Sequence, residues 1–117
     1  MPGRCVRGTV LQISLDPTVG HEIRKTRPCL VVQNDIGNQH SPMTIVVAIE
    51  GAENLKRLYP INVLIPKGEG GLDKDSVALC NQIRTVDEAR FGRVYGILSP
   101  GTMAKIDAAL KISLALV

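Results

Sequence analysis

Apolar and polar positions alternate over residues 8–15: Thr9, Leu11, Ile13 and Leu15 fall on one face, Val10, Gln12 and Ser14 on the other. A period of two marks a half-buried strand. Residues 29–33 and 44–49 are short β-branched runs without alternation, which predicts central strands covered on both faces. Asn62–Ile65 and residues 76–83 complete about five strands, and 93–98 reads as a last one after a helical turn at 87–91. Turns are expected at Asp16-Pro17, Asn34-Asp35-Ile36-Gly37 and residues 67–71. The pattern predicts a small antiparallel sheet or partly closed barrel.

One helix is legible. Ser99 suits the N-cap, Pro100 the first helical position, and Asp107 lies four residues before Lys111. Met103, Ile106, Leu110, Leu114 and Val117 recur at helical spacing, which predicts an apolar stripe packed on the sheet or on a twin subunit.

Composition narrows the class. The 117 residues, 44% of them hydrophobic, are read as one domain, 1–117, with no membrane-length apolar run and no apolar leader, so a cytoplasmic location is expected. Cys5, Cys29 and Cys80 are far apart and unpaired by spacing, and read as small hydrophobes. With only His21 and His40 beside them, neither a metal site nor a cofactor is expected. A net charge of +3 fits an anionic partner weakly. Arg4, Arg7, Arg24, Lys25 and Arg27 crowd the first 27 residues and suggest a positive field. Aromatics are only 3%, which argues against a broad base-stacking platform.

Chemistry concentrates in Asp16-Pro17-Thr18-Val19-Gly20-His21-Glu22-Ile23-Arg24-Lys25-Thr26-Arg27-Pro28. A loop between strands that gathers His, Glu and several cations has what proton transfer and phosphate binding require. The order Asp-Pro-Thr, Gly-His-Glu and Arg-Pro, followed by Asn81-Gln82-Ile83-Arg84-Thr85 and Gly96-Ile97-Leu98-Ser99-Pro100, resembles the MazF/PemK family of bacterial toxin ribonucleases. The resemblance runs from about residue 7 to the end.

That resemblance implies a β-rich α+β fold, a five- to seven-stranded SH3-like barrel with a C-terminal helix, most simply as a homodimer. It implies a metal-independent, sequence-specific endoribonuclease that cuts single-stranded RNA or mRNA to 2′,3′-cyclic phosphate and 5′-hydroxyl ends. A MazE-like antitoxin is the implied partner, with operator DNA reached only through it. Arg27 takes the phosphate-stabilising role, since its planar fork donates two parallel hydrogen bonds to phosphate oxygens. Glu22 is a base or an anchor for that Arg, and its plainer reading is a loop carboxylate paired with Arg24 or Lys25. His21 is an acid or base near neutrality. Thr18, Arg24, Lys25 and Thr26 are the expected RNA contacts. Gln82 and Arg84 read as a hydrogen-bond network that fixes the sheet or dimer, Asp87 and Arg90 as a local pair.

The chain departs from the family at three points. The third strand ends in Glu50 where Thr or Ser is usual. A carboxylate there can act as the base, but it also repels phosphate and competes with Glu22 for Arg27. The fifth strand carries Leu79 and Asn81 where PemK-type relatives have Arg and Asp, which places MazF as the nearer branch. Arg24-Lys25 stands where small residues or Gly are frequent, implying a stiffer, more cationic loop. Two alternatives follow: a CcdB-like toxin that binds gyrase without chemistry, and a weakened nuclease kept for antitoxin and operator control.

Overall fold

The computed structural model describes residues 5–117, so Arg4 lies outside the described residues. Six strands, β1 (Thr9–Ser14), β2 (Thr26–Val31), β3 (Met43–Gly51), β4 (Asn62–Ile65), β5 (Ser76–Asp87) and β6 (Phe91–Ile97), form one antiparallel sheet. Their order is β4-β5-β3-β2-β1-β6, and β4 and β6 are its two edges. This is the expected β-rich α+β fold, but the sheet is open, so the word barrel describes it only loosely. β2 and β3 are central, as their unbroken apolar runs predict.

Alternation along these strands splits the core in two. Val10, Leu30, Val47, Ile49 and Ala78 point to the face covered by helix α2 (Pro100–Ser113). Leu11, Ile13, Cys29, Val31, Val46 and Ala48 point to the other, where Leu15 and Cys5 close a second cluster. All three cysteines are buried. Ser99 caps α2 by accepting from the Thr102 N–H at 3.2 Å, and Met103, Ile106 and Ala109 pack on the sheet. The apolar stripe is half covered: Leu114 and Val117 are exposed beside Ile112 and Leu116. No helix among the described residues is long and apolar enough to cross a membrane.

The turn expected at residues 34–37 is instead the start of a short helix, α1 (Asp35–His40). The Asn34 side chain accepts from the Gly37 N–H at 2.8 Å, and Asp35 sits in the first turn, so the same residues that favour a turn cap a helix. Buried Asn38 anchors it, accepting from the Thr44 hydroxyl at 2.7 Å.

One irregularity shapes the site. Along the β3–β5 ladder Val47 faces Ile83, yet the next residue, Ala48, faces Leu79. Cys80, Asn81 and Gln82 are thus extra on the β5 side, a bulge that breaks the ladder where the β5 motif begins.

Candidate active site

The loop between β1 and β2 is knit to itself and to the sheet. At its neck the Leu15 N–H donates to the Lys25 carbonyl at 3.0 Å, and the Lys25 N–H to the Asp16 carboxylate at 3.2 Å. Those two bonds hold Lys25 at φ 73°, the left-handed region where a Cβ is costly. That position explains why Gly suits it. Further out, Arg24 donates to the Gly20 carbonyl at 3.1 Å, and the Glu22 carboxylate accepts from the Val19 N–H at 2.6 Å. Arg90 donates to the carbonyls of Ser14 and Asp16, Arg84 to that of Leu15, and the Gln82 amide oxygen accepts from the Ile23 N–H.

β2 starts at Thr26, earlier than its apolar run, so Arg27 is a strand residue. The β2–β3 ladder pairs Cys29 with Ala48, and continuing that register sets Arg27 across from Glu50. The two line one open groove of about 230 Å³ with Thr26, Asn54, Asp73 and Lys74. Arg27 donates its Nε–H to the Arg24 carbonyl at 2.8 Å, which fixes the guanidinium plane and leaves its two terminal nitrogens without a hydrogen-bond partner among the described residues. Glu50 likewise has no ion-pair or hydrogen-bond partner among them. A guanidinium and an unengaged carboxylate that line one groove can stabilise a charged phosphate and accept a proton.

A second hollow, about 250 Å³, opens on the Cys29 side of the sheet at the β5 bulge, lined by Glu22, Ile23, Asn81, Gln82 and Arg84. Cys29 also faces it. Burial pushes its thiol up to about 12 despite the pull of Arg27 and Arg84, so it is a neutral apolar wall and not a nucleophile.

A sequence model described as "PemK-like, MazF-like toxin of type II toxin-antitoxin system" matches residues 6–114. The chain belongs to this toxin family. Solved structures of similar fold include an endoribonuclease in complex with its cognate antitoxin from a mycobacterial species, 25% identical, with 97% of each chain covered and a TM-score of 0.79. MazF from Deinococcus radiodurans is 20% identical over 96% of this chain and 97% of its own, TM-score 0.81. A MazE–MazF complex from the same organism gives 16%, 97% of each chain and 0.73. At those last two identities the likeness speaks for the fold.

Within this toxin-family chain the residues expected to work together are partly separated. Arg27, Glu50 and Thr26 share the groove. Glu22 lines the neighbouring hollow and pairs with neither Arg24 nor Lys25, and Arg27 is oriented by a backbone carbonyl instead. His21 is exposed in the loop and lines neither hollow. Half-buried Thr18, whose hydroxyl reaches Asp16 at 3.5 Å, lines neither hollow either, while exposed Lys25 marks the loop neck. Arg7 does not join the positive field. It lies at the opposite end of β2, bonded to the Val32 carbonyl and paired with Asp107 at 2.5 Å. The Asp87–Arg90 pair is corrected too: Asp87 caps the Ala89 N–H and Arg90 clamps the loop. Asp73 and Lys74 were not anticipated. Their signal is a charged turn entering the strand that pairs with the end of β3, where Ser76 faces Gly51. Lys74 is held by Glu53 at 2.9 Å, each pulling the other further toward its charged form.

Proposed function

We propose that this chain, as one 1–117 toxin domain, is a sequence-specific, metal-independent endoribonuclease and the toxin of a type II pair, working in the cytoplasm as a homodimer. The observation that carries the reading is the groove that Arg27 and Glu50 line together: a guanidinium whose terminal nitrogens have no hydrogen-bond partner among the described residues, and a carboxylate equally unengaged among them. Single-stranded RNA laid in this groove supplies its own nucleophile. Glu50 takes the proton of the 2′-hydroxyl, the 2′-oxygen bonds to phosphorus, and the bond to the 5′-oxygen breaks, with solvent water giving that oxygen its proton as it leaves. The products are a 2′,3′-cyclic phosphate and a 5′-hydroxyl. Arg27 donates to the phosphate oxygens, where negative charge grows in the transition state. Glu50 fits the base role because Glu22, its competitor for Arg27, is tied to its own loop.

Family membership and the mycobacterial endoribonuclease bound to its antitoxin favour this nuclease over a CcdB-like gyrase binder. They also support a MazE-like antitoxin whose acidic segment covers exposed Arg24 and Lys25 and excludes RNA, with operator DNA bound only through that partner. Exposed Leu64, Ile112, Leu114 and Leu116 support self-association.

The test is incubation of the purified protein with a long RNA in EDTA and mapping of the cut ends. Cleavage persists with 5′-hydroxyl ends, and Arg27→Ala lowers it at least ~10²–10³-fold with circular dichroism unchanged. An active Arg27→Ala variant, or activity lost on chelation and restored by Mg²⁺, overturns the assignment.

A further inference from the structure

The Arg27 groove continues past its own walls. Pro28, Leu72 and Asp73 line both it and a further hollow of about 130 Å³, which Arg93, Tyr95 and Gly71 complete. Resting on the nuclease reading above, we propose that this hollow is a base-binding subsite for the same RNA strand and that Asp73 makes it select guanine.

A stacking plate is already assembled there. The Arg93 guanidinium lies over the Tyr95 ring, its Cζ 4.7 Å from the centroid. Tyr95 is half-buried and packed against the helix-side core, which holds the pair in place. Exposed Arg93 presents the outer face of its plane, and unstacked bases settle on guanidinium planes and aromatic rings. One such plate suffices for one base, so the poverty of aromatics in this chain is no obstacle.

The wall beside the plate supplies the selection. Asp73 is exposed and accepts no hydrogen bond from the described residues. An ionised carboxylate only accepts, at two oxygens side by side. Guanine alone among the RNA bases offers two adjacent donors, N1–H and the 2-amino group. Adenine and cytosine place a ring acceptor next to their amino group, and uracil flanks its single N–H with carbonyls. The same negative charge disfavours a phosphate in this position, so the strand enters base first.

Backbone contact fixes the geometry. Gly71, at φ 75°, presses so close to β6 that a Cβ on it falls 2.0 Å from the Tyr95 carbonyl oxygen, and a Cβ on Gly96 falls 2.8 Å from the Gly70 carbonyl carbon. The segment bearing Asp73 is thus docked on the strand bearing the plate.

The full chain is titrated by fluorescence anisotropy with labelled 2′-O-methyl uridine decamers carrying one central guanine, or inosine in its place. These probes are not cleaved, and inosine lacks only the 2-amino donor. We expect the guanine probe to bind roughly tenfold or more tightly. Asp73→Asn is expected to erase that difference, and Arg93→Ala to weaken both probes alike. Equal affinities in the wild-type chain, or a preference that survives Asp73→Asn, overturn the subsite. A chain that cuts RNA yet ignores the 2-amino group sinks this inference alone. One that distinguishes the probes but never cuts sinks the nuclease reading alone.

Discussion

Arg90 donates to the carbonyl of Asp16 at 2.7 Å across 74 positions of sequence. It also reaches Ser14 at 2.9 Å, while Arg84 holds Leu15 and Gln82 holds Ile23. Two guanidiniums and an amide, all at or after the β5 bulge, therefore grip the two ends of the loop that precedes Arg27. The β5 motif is tied to this loop through its backbone, the Leu15 carbonyl for Arg84 and the Ile23 N–H for Gln82.

Loosening this grip should cost rate more than stability. Arg90→Ala removes two half-exposed hydrogen bonds, about 1 kcal/mol each or less. The loop that supplies the Arg24 carbonyl to Arg27 then wanders, and small misplacements at a reacting centre cost up to ~10²-fold. We expect kcat to fall about tenfold or more with KM nearly unchanged, and limited proteolysis to cut earlier within residues 16–25. A variant with normal kcat would show that the loop holds its shape unaided.

Glu50→Thr separates two roles of one carboxylate. With Glu50 as the base, the substitution should lower cleavage by ~10²–10⁴, the usual worth of a positioned proton acceptor. A rise in cleavage would show instead a repelling charge in a weakened nuclease, and an unchanged rate would place Glu50 outside the chemistry.

Lys25→Gly should stabilise the protein slightly. A side chain in the left-handed region costs about 1–2 kcal/mol, against which glycine loses about 0.5–1 kcal/mol through the entropy of its unfolded state. The net gain is between about 0 and about 1.5 kcal/mol by urea denaturation. Lys25→Ala, which keeps the Cβ, should give no such gain, and equal effects from the two would remove strain as the cause.

How legible this was depended on the range of the interactions. Strand positions and the Ser99–Pro100 helix start follow from alternation and capping, which are local, so they could be read from neighbouring residues. The open sheet could not, because closure depends on whether β4 and β6 meet, and no local pattern encodes that. Residues 34–37 misled because Asn followed by Asp serves a turn and a helix cap alike. Arg27 and Glu50 were found through motif order, whereas their meeting depends on the β2–β3 register. Arg7 looked like a neighbour of Arg27 in sequence, yet one strand length carries it to the other end of β2, against Asp107. Asp73 escaped because a charged turn is ordinary until β5 folds it beside β6.

Acid should weaken the attachment of α2 through Glu69. Hydrogen bonding from Thr102, and from the N–H and hydroxyl of Ser99, holds the Glu69 carboxyl below its usual range. The Ser99 contacts measure 3.1 and 3.0 Å. Because the folded pKa is the lower one, this contribution is fully present above the unfolded carboxyl value of ~4.3 and is lost as pH falls through the folded value. An anion at a helix N-terminus is typically worth about 0.3–1 kcal/mol. Glu69→Gln should therefore be less stable than the parent by about that much at pH 7, and the gap should narrow below about pH 4 as the parent protonates. Urea denaturation of both proteins at pH 7, 5 and 3 makes the comparison, with salt held constant so that screening does not mimic the trend. A gap that stays constant into acid would mean the amide has lost packing and not a charged hydrogen-bond acceptor, and the carboxylate at Ser99 would then play no electrostatic part in holding the helix.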